Sequence, residues 1–106
     1  RNNNLIRKIV ISTGAVTTLA GSTSFSSPRG VTTDGTNLYV SDYGNHLIRK
    51  IVISTGAVTT LAGTGSSGSA NGTGTSASFY IPKGITTDGT NLYVADTYNN
   101  LIRKIE

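Results

Sequence analysis

The feature that most constrains this chain is that it repeats itself. Residues 3–21, NNLIRKIVISTGAVTTLAG, return at 45–63 with one change, and NNLIRKI returns again at 99–105. A second block, GVTTDGTNLYVSDYGN at 30–45, returns as GITTDGTNLYVADTYN at 84–99. The copies of the first block start 42 and 54 residues apart, and the extra 12 residues fall wholly in the link that follows TLAG. That link is STSFSSPR (22–29) in one copy and TGSSGSANGTGTSASFYIPK (64–83) in the other. Self-similarity at such a period marks an architecture in which one supersecondary unit cannot bury its own faces and must stack on its neighbours.

Each unit reads as four short strands. Residues 30–33 run into Asp34-Gly35, a strong hairpin signal. Residues 37–41 alternate Leu38 and Val40 against Tyr39, a strand with two distinct faces. After a polar turn at 42–45 come a long apolar strand at 47–53, a Ser-Thr-Gly turn at 54–56 and a closing strand at 57–62. Composition agrees: 38 of the 106 residues are Ser, Thr or Asn and 13 are Gly, while only 13% are charged. Such a chain suits many short strands and tight turns better than helices. Four antiparallel strands in about 42 residues match one blade of a β-propeller.

The inventory excludes several kinds of chemistry. There is no Cys, hence no disulfide, thiolate metal site or cysteine nucleophile, and the single His46 rules out a multi-histidine metal site within one chain. No apolar run is long enough for a membrane-spanning helix. There is no Met, even at the first position, so the expectation is a processed chain or a piece of a longer one. The acids, Asp34, Asp42, Asp88, Asp96 and Glu106, form no paired-carboxylate or Ser-His-Asp spacing, and the expectation is a protein that is not an enzyme and carries no cofactor and no metal.

The run Asp-Gly-Thr-Asn-Leu-Tyr-Val-Ala-Asp (88–96), together with Asn-His-Leu-Ile-Arg-Lys-Ile (45–51), resembles the NHL repeat. The resemblance covers nearly the whole chain. Pro28 and Pro82 fit the family pattern, and Leu stands at 5, 47 and 101 where the family often has Arg. The TGAVTTLAG form with its Gly/Ser-rich insert is similar to long bacterial NHL-repeat arrays. The resemblance implies all-β propellers, most often six-bladed. With strands lettered a to d from the axis outward, the chain reads c-d (1–21), a-b-c-d (22–63) and a-b-c after an insert (64–106). Two blades per chain leave raw faces and edges, so the expectation is self-association. Either three chains close a six-bladed ring, or chains add head to tail in an open polymer. The assembly strands would carry Leu5, Ile9, Val16, Leu19, Leu101 and Ile105, with residues 5–11 and 101–105 competing for one slot.

In such a propeller the b–c turns and the d-to-a links share one face, which would carry Tyr43, His46, Tyr98 and Asn100, with Arg29 and Lys83 nearer the axis. An aromatic on a turn can stack on a sugar, and a ring of Arg29 and Lys83 would attract anions. Asp42 and Asp96 are expected to cap their own turns. The Arg-Lys pairs at 7–8, 49–50 and 103–104 must split across the two faces of a strand. They point to pairing with Asp more than to phosphate, which makes nucleic acid an unlikely partner. The insert 64–78 reads as a flexible loop, and shortening it by 12 residues is expected to cost about 1 kcal/mol or less. Residues 71–73 spell a glycosylation sequon. The expected function is a self-assembling scaffold that binds a glycan, peptide or protein partner, anionic ones included, in an extracellular or cell-surface setting. The alternatives are a structural extracellular polymer, or a designed or truncated repeat without a ligand, with RNA binding behind both.

Overall fold

The structure, a computed structural model, describes residues 4–21 and 25–106. The expected unit limits at residues 1 and 22, and link residues 22–24, lie outside the described residues. Among the described residues nine strands form in chain order: β1 (Leu5–Ile9), β2 (Val16–Gly21), β3 (Pro28–Thr33), β4 (Asn37–Asp42), β5 (Leu47–Val52), β6 (Val58–Ala62), β7 (Pro82–Thr87), β8 (Leu92–Asp96) and β9 (Leu101–Ile105). Among the described residues there is no α-helix, only three one-turn 3-10 segments. The strands make three antiparallel sheets in the orders β1-β2, β3-β4-β5-β6 and β7-β8-β9. The protein is all-β and consists of blades of a partial propeller, one of them with all four strands.

β3 and β7 begin two residues earlier than the sequence pattern suggests. Pro28 pairs with Asp42, and Pro82 with Asp96, ahead of a bulge. Proline needs no ladder partner for its missing N–H at the first residue of a strand. The hairpins after β3 and β7 close on Asp34 and Asp88. Each carboxylate accepts two backbone N–H groups on one oxygen and the hydroxyl of Tyr39 or Tyr93 on the other.

Alternation along the strands sorts side chains between two seams. Leu38 and Val40 of β4 and Ile51 of β5 face the β1-β2 sheet, where Phe25, Ile6, Leu19 and Ala20 complete one core cluster. The opposite face of the complete blade presents Tyr39, Ile48, Leu61 and Ala62 to Phe79 of the long link and to Leu92 and Val94 of the third sheet. Phe25 and Phe79 are the apolar anchors of the short and long links, and both are buried. The inner strands β3 and β7 run close together. A Cβ on Gly30 would meet the Lys83 carbonyl oxygen at 2.5 Å, and the Ser41 hydroxyl donates to that same carbonyl.

Candidate functional site

The strand registers place the ends of β4, β6 and β8 at the same edge as the starts of β3, β5, β7 and β9. This edge is the loop face, and its scaffold is a carboxylate used twice. Asp42 accepts from the backbone N–H of Ser26 (2.8 Å), from Asn45 Nδ2 (2.8 Å) and from Arg49 (3.0 Å). Asp96 accepts from the N–H of Tyr80 (2.7 Å), from Asn99 Nδ2 (2.7 Å) and from Arg103 (2.7 Å). Both carboxylates are fully buried. Each ties a link, a turn and a strand together, which is why these residues are structural. Of each Arg-Lys pair here, Arg turns inward to this carboxylate.

Two groups of side chains rise from this scaffold. In the first, the Arg29 guanidinium lies 4.1 Å from the centre of the Tyr43 ring, and Lys83 Nζ lies 5.6 Å from the same ring. Arg29 is exposed, and Tyr43 and Lys83 are half-buried. Two cations from neighbouring blades therefore approach one aromatic ring. A contact of this kind contributes about 0.5–1 kcal/mol at an exposed site, while the two cations repel each other. In the second group, His46 meets Tyr80 edge-on at 5.6 Å, and Tyr80 meets Tyr98 at 5.1 Å. Tyr98 is 57% exposed and Tyr80 38%.

His46 is also a joint. Its Nδ1 accepts the backbone N–H of Ile81 across the seam at 3.1 Å, so it is more than a solvated loop residue. Asn4 does the same one seam earlier, where its Oδ1 accepts the N–H of Ser27 at 2.8 Å. Asn100, the third equivalent, shares their left-handed backbone (φ 54° at Asn4, 58° at His46 and Asn100) and is exposed. It stands apart from both aromatic groups.

Of the residues singled out in the sequence, the structure brings Arg29, Tyr43 and Lys83 together, and joins His46 to Tyr98 through Tyr80. Tyr80 was missed because it lies in the link, where composition suggested a loose loop. Its signal is its place directly before Ile81-Pro82, at the return to the axis. The long link is ordered by polar bonds. Arg103 donates to the carbonyls of Ser78 and Ala70 and to Asn71 Oδ1, and Asn99 donates to the carbonyl of Gly68. Residues 64–76 bury no side chain, as expected from their composition, yet they are held in place. Among the described residues, no three His, Asp or Glu side chains gather as a metal-holding group.

Residues 25–51, from the Phe25 anchor to Ile51, match the family model of the NHL repeat. This stretch is similar to an NHL repeat, and it covers most of the complete blade. Two solved structures from Bacteroides thetaiotaomicron are similar to the whole chain. One is a structural genomics protein of unknown function, 28% identical, with a TM-score of 0.85 over 97% of this chain and 30% of that one. The other is described as an auxiliary nutrient binding protein, 25% identical, with a TM-score of 0.74 over 98% of this chain and 33% of that one. The chain thus spans about a third of the length of each. Among curated proteins no match is found.

Proposed function

We propose that this chain is a non-enzymatic binding scaffold, built from NHL-type propeller blades that complete themselves by association with further copies. Its loop face takes a glycan or peptide, with a carboxylate or other anionic group as the feature recognised. The observation that carries the reading is the stack of Arg29 and Lys83 on Tyr43. An anion seated beside these two cations would relieve their mutual repulsion and gain two charge-assisted hydrogen bonds. The exposed Tyr80–Tyr98 pair offers apolar ring surface on the same edge, suited to a sugar face or an aromatic side chain. The similar nutrient binding protein supports a ligand-holding role for such a scaffold.

The test is calorimetric titration of the chain with acidic and neutral oligosaccharides of equal length, at two salt concentrations. The reading expects the acidic series to bind more tightly, with a salt-dependent affinity. It expects the double variant Arg29→Gln, Lys83→Gln to lose that preference while keeping its melting temperature. Equal affinities for both series, or no binding at all, would sink it. A second reading, a structural head-to-tail polymer without a ligand, is favoured by the apolar faces at the two ends of the chain: Ile9 is 61% exposed and Ile102 76%.

A further inference from the structure

We propose that β1 is a placeholder. In the assembled protein, β9 of one copy takes the position of β1 on the β2 strand of the next. The inference rests on the self-association reading above and names the surfaces that meet.

Both partners are already shaped for the exchange. Residues 4–9 and 100–105 are the same sequence, NLIRKI. In the complete blade, β5 pairs with β6 as Ile48↔Ala62, Arg49↔Thr60, Lys50↔Thr59 and Ile51↔Val58, with a bulge after Ile48. β1 pairs with β2 in the same register, as Ile6↔Ala20, Arg7↔Thr18, Lys8↔Thr17 and Ile9↔Val16, with the bulge at the same place. β9 is hydrogen-bonded to β8 on one side only. Along it, beside link residues Asn71 and Thr73 and over Phe79, lies a groove of about 380 Å³. Laid there in the repeated register, β2 of a second copy would set Ile102 against Ala20, Arg103 against Thr18, Lys104 against Thr17 and Ile105 against Val16. Asn100 Oδ1 would then accept the Ser27 N–H of that copy, the bond Asn4 makes within one chain. Ile102 would come to rest as Ile48 does at the internal seam.

The structure also says which duplicate strand yields. Arg103 is held by Asp96, Ser78, Ala70 and Asn71, so β9 is pinned to its own blade by a buried cation with four acceptors. Arg7, the equivalent residue of β1, is exposed, as are Lys8 and Ile9. Removing β9 from its slot would strand a buried charge, which is costly. Removing β1 strands no buried charge, and what it gives up, the place of Ile6 on the Phe25–Val40–Ile51 cluster and the Asn4–Ser27 bond, Ile102 and Asn100 of the incoming strand would restore. β1 therefore covers the β2 edge of a free chain against indiscriminate pairing and gives way to an identical strand from a copy.

The chain has no Cys, so engineered pairs report cleanly. Three double variants are oxidised at a concentration where light scattering finds masses above the 11.0 kDa chain. They are Thr17→Cys with Lys104→Cys, Thr17→Cys with Lys8→Cys, and Lys50→Cys with Thr59→Cys. The last is the same register pair inside the complete blade and fixes how readily such a pair closes within a chain. The exchange predicts covalent links between chains for the 17/104 variant and loss of the 17/8 link once the protein assembles. Assembly with the 17/8 link intact and no 17/104 link would overturn the placeholder role while leaving self-association standing. An unsubstituted chain that stays at 11.0 kDa at every concentration would overturn both.

Discussion

The strand LIRKI occurs at three places in this chain and meets three different surroundings. In β5 it is sealed between two sheets, and Ile48 and Ile51 are fully buried. In β9 it is sealed on one face: Arg103 is buried and Ile102 is 76% exposed. In β1 it is sealed on the other face, with Ile6 half-buried and Ile9 61% exposed. The sequence is constant, so the difference belongs wholly to what lies next door. A blade of this kind supplies two half-seams and no core of its own, and the open faces at the two ends are the two halves of the seam that is closed in the middle.

The largest expected effect breaks the sealed half. Ile48→Ala should destabilise the chain by about 2–5 kcal/mol, as for buried aliphatic truncation, read by denaturant melts. Ile102→Ala, the same change at the open face, should cost a dilute chain about 0.5 kcal/mol or less. The two variants should converge where the protein assembles. Equal losses in dilute solution would mean that Ile102 is already covered.

A smaller effect concerns the long link. Cutting it by 12 residues, to the length of the 22–29 link, removes Ala70 and Asn71 as acceptors for Arg103. Hydrogen bonds to a charged group are worth about 1.5–3 kcal/mol, so calorimetry should show a loss of that order. The loop-entropy argument alone gave about 1 kcal/mol or less. A neutral result would return the link to the status of a spacer.

The smallest effect is blind to the seams. Backbone N–H groups of Asn91 and Thr90, joined by the Tyr93 hydroxyl, hold the exposed Asp88 carboxyl down at about 2 from its usual 3.8. Asp34 is lowered by the equivalent donors, Asn37 first, then Thr36 and Tyr39. A depressed carboxylate stabilises fully above its unfolded value and loses that contribution as pH falls towards the folded one. The melting temperature should therefore drop between about pH 4 and pH 2. Asp88→Asn and Asp34→Asn should each flatten that slope, although one hairpin belongs to the open blade and the other to the complete one. A slope unchanged in both variants would place the acid sensitivity elsewhere.

Much of this fold was legible in the chain itself. The repeats fix strand number and order, Asp34-Gly35 and Asp88-Gly89 mark the hairpins, and Phe25 and Phe79 stand out as apolar anchors in polar links. What stayed hidden are contacts that join residues from different units. Arg29 and Lys83 read as a charged ring; the structure shows Arg29 against Tyr43 of its own blade and Lys83 of the next blade approaching the same ring. His46 read only as a residue of the loop face, because its acceptor role depends on an N–H 35 positions away. The link at 64–78 read as flexible because most of its bonds to Arg103 and Asn99 end on backbone carbonyls, which no side-chain pattern records.

A protein whose strands are interchangeable faces an addressing problem: any LIRKI could thread into any slot during folding. The bonds from Arg103 to Ala70 and Asn71 answer it. Arg103 is seated in its slot by acceptors that the long link itself carries, so the link takes part in holding the strand that follows it. The long link thus does more than join two blades: through Ala70 and Asn71 it gives one copy of a repeated strand surroundings that depend on the link as well as on the neighbouring sheet.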